Sequence, residues 1–242
     1  MSERIAKYLA RTGVCSRREA EELIKQERIT VNGETITTPA FFVEGTETIL
    51  FDGEKINKKD KTRLWLYHKP VGLVTTHKDE KDRDTVFSNL PEGMPRVISI
   101  GRLDLNSEGL LLLTNDGALS RALELPQNGW SRRYKVKAHG FLDNRKLKSL
   151  EKGGEVDGVQ YAPCKISVEK QTGTNVWLTI SLTEGKNREV RKLLASIGLS
   201  VARLIRLSYG PFQLGSLKKG EVKEVPQKVL KEQLGKVYEI CE

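Results

Sequence analysis

The sequence predicts an α+β protein: a small N-terminal unit of helices and short strands, then a larger unit whose mixed, mostly antiparallel sheet is flanked by helices. Three observations carry this expectation. Two helical apolar patterns open the chain, strand-like runs recur from Leu64 onward, and no regular helical crossovers separate those runs as a doubly wound fold would require. At 242 residues the chain is long enough for each unit to bury a core.

The first helix is expected from Ile5, Tyr8 and Leu9, and it stops at Thr12-Gly13. Ala20, Leu23 and Ile24 predict a second helix, opened by a capping box in Ser16-Arg17-Arg18-Glu19. Ile29-Thr30-Val31 before Asn32-Gly33 reads as a strand entering a hairpin, and Thr48 to Phe51 before Asp52-Gly53 repeats that signal. Asn57-Lys58-Lys59-Asp60-Lys61 is charged and carries no apolar residue, so it is the expected linker, with units at 1–60 and 61–242. Beyond it, strands are predicted at Leu64 to His68, Val97 to Ile100, Tyr134 to Ala138, Val176 to Leu182 and Arg203 to Ser208. Arg188 to Ile197, ended by Gly198, reads as a helix, and further helices are expected after Asp116 and Asp143.

Lys and Arg total 41 against 32 Asp and Glu, which favours a polyanionic partner. The excess lies in the second unit: residues 61–242 hold 31 basic and 21 acidic side chains, residues 1–60 hold 10 and 11. The N-terminal unit is nonetheless patterned, because Arg4, Lys7 and Arg11 share one helical stripe and Arg17 and Arg18 begin the next helix, where phosphate oxygens can be held. A solvated helix face would look the same. Between Gly185 and Gly210, Lys186, Arg188, Arg191, Lys192, Arg203 and Arg206 face only Glu189, more positive charge than solubility requires. Cys15, Cys164 and Cys241 lack metal or disulfide spacing and read as reduced thiols. Met-Ser-Glu-Arg opens no apolar leader, and the longest aliphatic run, Leu110 to Leu113, is too short for a bilayer, so a cytoplasmic location without membrane contact is expected.

The most informative segment runs from Ile100 to Gly117. An apolar strand ends at Gly101, a polar loop carries Arg102 and Asp104, and a buried strand begins at Gly109. Rigid strands on both sides of an accessible carboxylate are what a catalytic group needs. On spacing alone, the better reading of Asp104 is a turn residue capping the Leu105 or Asn106 amide.

Gly101-Arg102-Leu103-Asp104, followed by Ser107-Glu108-Gly109-Leu110 and Thr114-Asn115-Asp116-Gly117, resembles the catalytic motif of bacterial ribosomal RNA pseudouridine synthases. Lys69-Pro70-Val71-Gly72, Arg132-Arg133-Tyr134-Lys135-Val136 and Glu184 to Lys192 are similar to that family's other blocks. Residues 1–60 resemble the small RNA-binding module first named for ribosomal protein S-four, so the resemblance covers essentially the whole chain in order. It implies a catalytic domain at 61–242 with the pseudouridine synthase fold, and Asp104 as the nucleophile or base that starts cleavage of the uridine glycosidic bond. It further implies that Arg191 pairs with Asp104, that Tyr134 stacks on the uracil, and that Arg102 fills the gap left by an extruded nucleotide. Lys186 and Arg188 join Arg4, Lys7, Arg11, Arg17 and Arg18 as expected RNA contacts. Without the resemblance, Tyr134 is an ordinary strand aromatic.

The implied reaction detaches uracil at its ring nitrogen, turns it and rejoins it through carbon 5, so no cofactor or metal is expected. A covalent adduct to Asp104 and a glycal-type route are both compatible with these residues. The implied partner is ribosomal RNA, as a structured stem-loop or within a pre-ribosomal particle, met by a monomer. Large-subunit RNA is the first expectation, because Leu182 to Arg191 and Arg203-Leu204-Ile205-Arg206 read like the large-subunit members; a small-subunit synthase and a silent assembly factor are the rivals. His68, His77 and His139 are scattered, and Trp65, Trp130 and Trp177 are expected to pack, with Trp130 also a candidate channel residue. Asp79 to Asp84 reads as a charged loop at the cleft edge.

Overall fold

The computed structural model describes residues 2–56 and 61–239. Most of the expected linker, residues 57–60, lies outside them. The N-terminal residues form β1 (Glu3–Arg4), α1 (Ile5–Arg11), α2 (Arg17–Lys25), β2 (Ile29–Val31), β3 (Glu34–Thr35), β4 (Phe42–Val43), β5 (Ile49–Phe51) and β6 (Glu54–Lys55). The capping box is present: the Ser16 hydroxyl accepts from the Glu19 amide, and the Glu19 carboxylate accepts from the Ser16 amide at 2.6 Å. Asn32 and Asp52 take left-handed backbones at the two hairpin turns, as short polar side chains tolerate. Ile5, Leu9, Ala20, Ile24, Ile29, Val43 and Ile49 close a core drawn from this segment alone. Arg96 reaches across to Glu19 at 3.3 Å.

The remainder comprises β7 (Leu64–Lys69), β8 (Ile98–Ile100), β9 (Glu108–Thr114), α3 (Gly117–Glu124), β10 (Arg132–His139), α4 (Asn144–Glu151), β11 (Gly154–Val156), β12 (Val159–Tyr161), β13 (Lys165–Thr172), β14 (Asn175–Leu182), α5 (Glu189–Ser196), β15 (Ser200–Tyr209), β16 (Phe212–Gln213), β17 (Val222–Glu224), α6 (Gln227–Leu234) and α7 (Lys236–Glu239). Asp116 and Asp143 cap α3 and α4 through their carboxylates, as their positions predict. The main sheet runs β13-β14-β10-β15-β9-β7-β17, with β8 on β9 and β16 on β15. Its strand pairings are antiparallel except β15 with β9, which are parallel through Ile205–Glu108 and Arg206–Gly109. Gly109 is obligatory there: with φ +108°, a Cβ would lie 2.4 Å from the Arg206 carbonyl oxygen.

Alternation along the strands divides the burial. On one face, Val136, Ala138, Leu178, Ile180 and Leu204 pack against Val190, Leu193 and Leu194 of α5. Further along, Trp65, Tyr67, Leu103, Leu111 and Leu113 make a second cluster. On the opposite face, Leu64, Leu110 and Leu112 are covered by Leu119 and Leu123 of α3 and by Leu230, Leu234 and Tyr238. That cover stops short of β10, β13 and β14. No helix among the described residues is long and apolar enough to cross a membrane.

Candidate active site

Residues 101–107 form the loop between β8 and β9, and each of its anchors has a physical cause. Leu103 is buried under the sheet, and its carbonyl accepts from the Thr75 hydroxyl at 2.8 Å. The Leu105 carbonyl accepts from the Gly72 amide at 2.9 Å, and Ser107 N–H closes a turn onto the Asp104 carbonyl at 3.0 Å. Beneath them lies Lys69, fully buried at the end of β7. Its ammonium donates to the carbonyls of Pro70, Asp104 and Ser107 at 2.9, 3.2 and 2.9 Å, so all three protons are used. Burial lowers the Lys69 pKa to about 8; the Asp104 and Glu108 charges oppose that fall and Arg206 adds to it. The next residue along, Glu108, is buried between Arg203 and Lys219, the latter at 2.7 Å.

With the backbone held, the Asp104 side chain remains 31% exposed and meets Arg188, whose guanidinium lies 3.6 Å away. This corrects the sequence expectation that Arg191 is the partner. Arg191 donates to the carbonyls of Asn106 at 2.8 Å and Val201 at 3.1 Å, clamping the Asp104 loop to β15. Burial, then Arg188, draws its pKa down, and the Asp104 charge opposes both. Arg188 takes the left-handed backbone, φ 51° and ψ 33°, just before α5, which separates its direction from that of the helical arginine three residues later. Tyr134 is half-buried on β10 and packs against both front-face clusters, the one under α5 and the one that includes Leu103.

The other expected RNA contacts are dispersed. Arg102 is exposed on the same loop as Asp104. Lys186 bonds Glu184 at 2.8 Å and the Gln160 carbonyl at 2.5 Å. The Arg4, Lys7 and Arg11 stripe is altered: Arg4 belongs to β1, and Glu3 takes both Lys7 at 3.3 Å and Arg11 at 2.6 Å. Arg17 and Arg18 stand exposed in the first turn of α2. His77 stacks on Phe87, His68 bonds the Leu217 carbonyl and His139 the Thr174 hydroxyl. Among the described residues no three His, Cys, Asp or Glu side chains gather as a metal site requires. The Asp79–Asp84 loop is ordered by the Asp79 carboxylate, which takes the Arg83 guanidinium and the Lys81 and Arg83 amides. Cys15 and Cys164 are buried free thiols, both pushed up to about 11 by burial.

A family model described as RNA pseudouridylate synthase matches residues 63–196, the span holding Lys69, Asp104, Tyr134, Arg188 and Arg191. The chain belongs to the RNA pseudouridylate synthase family. An S4 domain model matches residues 3–49 of this synthase-family chain. It is 51% identical over 228 residues to an uncharacterized RNA pseudouridine synthase of Rickettsia felis, covering 94% of this chain and 99% of that protein. To the ribosomal large subunit pseudouridine synthase B of Salmonella typhi it is 41% identical over 221 residues, 88% of this chain and 76% of that one. A crystal structure of a pseudouridylate synthase superposes with TM-score 0.67 at 25% identity, covering 96% of this chain and 99% of the other. The expected α+β architecture is thus the family's fold. Sequence reasoning placed Lys69 in the Lys69-Pro70-Val71-Gly72 block without a role, so it missed the buried cage around that ammonium, and it assigned Arg188 to RNA alone.

Proposed function

We propose that this chain converts a uridine of large-subunit ribosomal RNA to pseudouridine, with Asp104 as the catalytic carboxylate. The observation that carries the reading is an Asp104 carboxylate left accessible on a loop whose backbone is fixed from below by Lys69 and from the side by Arg191. Such a group meets an extruded nucleoside in one orientation, which is where the rate gain of a positioned nucleophile or base originates. Tyr134 stacks on the uracil and shields it from water while it turns, and Arg191 holds the Asp104 loop rather than the carboxylate itself. Arg102 enters the stack vacated by the flipped nucleotide, offsetting the few kcal/mol that unstacking costs. Residues 1–60 act as an RNA-binding domain through Arg4, Lys7, Arg11, Arg17 and Arg18, and residues 61–242 as the catalytic domain, where Lys186 and Arg188 add phosphate contacts. The protein works as a cytoplasmic monomer on a stem-loop or a pre-ribosomal particle. The 41% identity to a synthase named for the large subunit supports that subunit over the small one.

Primer-extension mapping of carbodiimide-treated ribosomal RNA tests this in cells lacking the gene. One large-subunit pseudouridine should vanish, return with the wild-type gene and stay absent with Asp104→Ala, whose turnover falls by roughly 10³-fold or more. Persistence of every pseudouridine in those cells would defeat the proposal.

A further inference from the structure

The half-sheet of β13, β14, β10 and the start of β15 is packed by α5 on one side and bare on the other. Alternation puts Tyr134, Val136 and Ala138 beneath α5, and therefore Arg133, Lys135 and Lys137 on the bare side. Register adds to them: Lys137 lies opposite Trp177 and Arg203, Lys170 opposite Trp177, and Lys165 opposite Ser181. Six cations from β10, β13 and β15 thus share one face, with Trp177 of β14 among them. The carboxylates there are Glu169, which takes Lys135 at 3.2 Å, and Glu108 at the edge, which takes Arg203. Lys137, Lys165 and Lys170 have no ion-pair partner among the described residues. A hollow of about 510 Å³ opens at the centre, lined by Lys135, Glu169, Lys170, Trp177, Arg203 and Ile205. Trp177 is half-buried there, with the Lys135 ammonium 5.3 Å from its ring centroid, and not in the core as its sequence suggested.

We propose that this bare half-sheet is a second RNA surface, on the face of the sheet away from α5 and Tyr134, that holds an unpaired stretch of the same RNA with a base stacked on Trp177. It rests on the reading of RNA as substrate, and it fits charge and shape: cations spaced across one sheet face track phosphates, and an indole in a hollow offers a base its face. Unpartnered lysines on a sheet face gain most from a polyanion, since each phosphate they neutralise releases a counterion.

The test is binding of a single-stranded uridine 30-mer and of a long ribosomal RNA fragment across a salt series. The combined Lys137→Gln, Lys165→Gln, Lys170→Gln variant changes one half-buried and two exposed strand positions, and Trp177→Phe keeps an aromatic ring should the triple variant fold poorly. Loss of three phosphate contacts should flatten the slope of log affinity against log salt by about 2 and weaken low-salt affinity about tenfold. RNA should quench tryptophan fluorescence in the wild type and much less in Trp177→Phe. Unchanged slope and affinity, or undiminished quenching in Trp177→Phe, would overturn the proposal and point to a protein partner for this face. Pseudouridine formation by the wild type on the same fragment is scored separately: its absence sinks the isomerase reading while the binding result still stands or falls alone.

Discussion

Of the cations that meet the Asp104 loop, Lys69 and Arg188 differ in almost every respect. Lys69, below, is fully buried and gives all its protons to backbone carbonyls; Arg188, above, is 48% exposed and meets the carboxylate at 3.6 Å. A buried ammonium without partners would cost several kcal/mol, so its cage forces two carbonyls of the 101–107 loop and the adjacent Pro70 carbonyl into one geometry. An exposed ion pair at hydrogen-bond distance or longer is worth about 1 kcal/mol at most. The backbone under Asp104 is therefore fixed before substrate arrives, while its side chain is lightly held and free to change partner.

Between these two cations the larger effect should follow from Lys69→Met, which removes the cage's only donor: kcat on ribosomal RNA should fall roughly 10²-fold with KM little changed, and an unaltered kcat would break the contrast. Wild-type turnover should also decline as pH rises through about 8, because the neutral amine has two protons for three carbonyls; Lys69→Met should lack that limb. Gly109→Ala, forced against the Arg206 backbone at a left-handed φ, should destabilise by about 3 kcal/mol in urea titrations. Arg188→Ala should cost only about fivefold in kcat/KM, in proportion to an exposed pair. The smallest effect concerns Glu108. Burial works to raise its carboxyl, but Arg203 and Lys219 prevail and hold it below the ordinary glutamate range. As pH falls the unfolded chain takes up that proton first, so stability present above about 4.3 is lost below it, and urea midpoints for Glu108→Gln should be flatter from pH 6 to 3.

Where local chemistry decides structure, it was legible. The Ser16–Glu19 box, the Asn32-Gly33 and Asp52-Gly53 turns and the Asp116 and Asp143 caps need only neighbours in sequence. The Asp104 loop was legible because apolar strands bracket it. β13 was not: Lys165 to Thr172 is almost wholly exposed, so no alternation marks it, and β14 recruits it by backbone pairing. Arg188 and Arg191 could not be told apart by spacing, since a left-handed residue before α5 redirects the first. Lys69 needed carbonyls brought from Asp104 and Ser107, which only the assembled sheet supplies.

The parallel junction of β9 with β15 rests on two residue pairs, yet the groups assigned to the chemistry straddle it: Asp104 leads into β9, whereas Tyr134 lies on β10, Arg191 on α5 and Arg188 just before α5. A slip of a single residue at that seam would carry the carboxylate about 3.3 Å along its strand and turn each side chain of one half to the wrong face. Correct alignment of two half-sheets is thus the precondition for assembling the pocket, and the side-chain-free position at 109 is what lets them close to that distance.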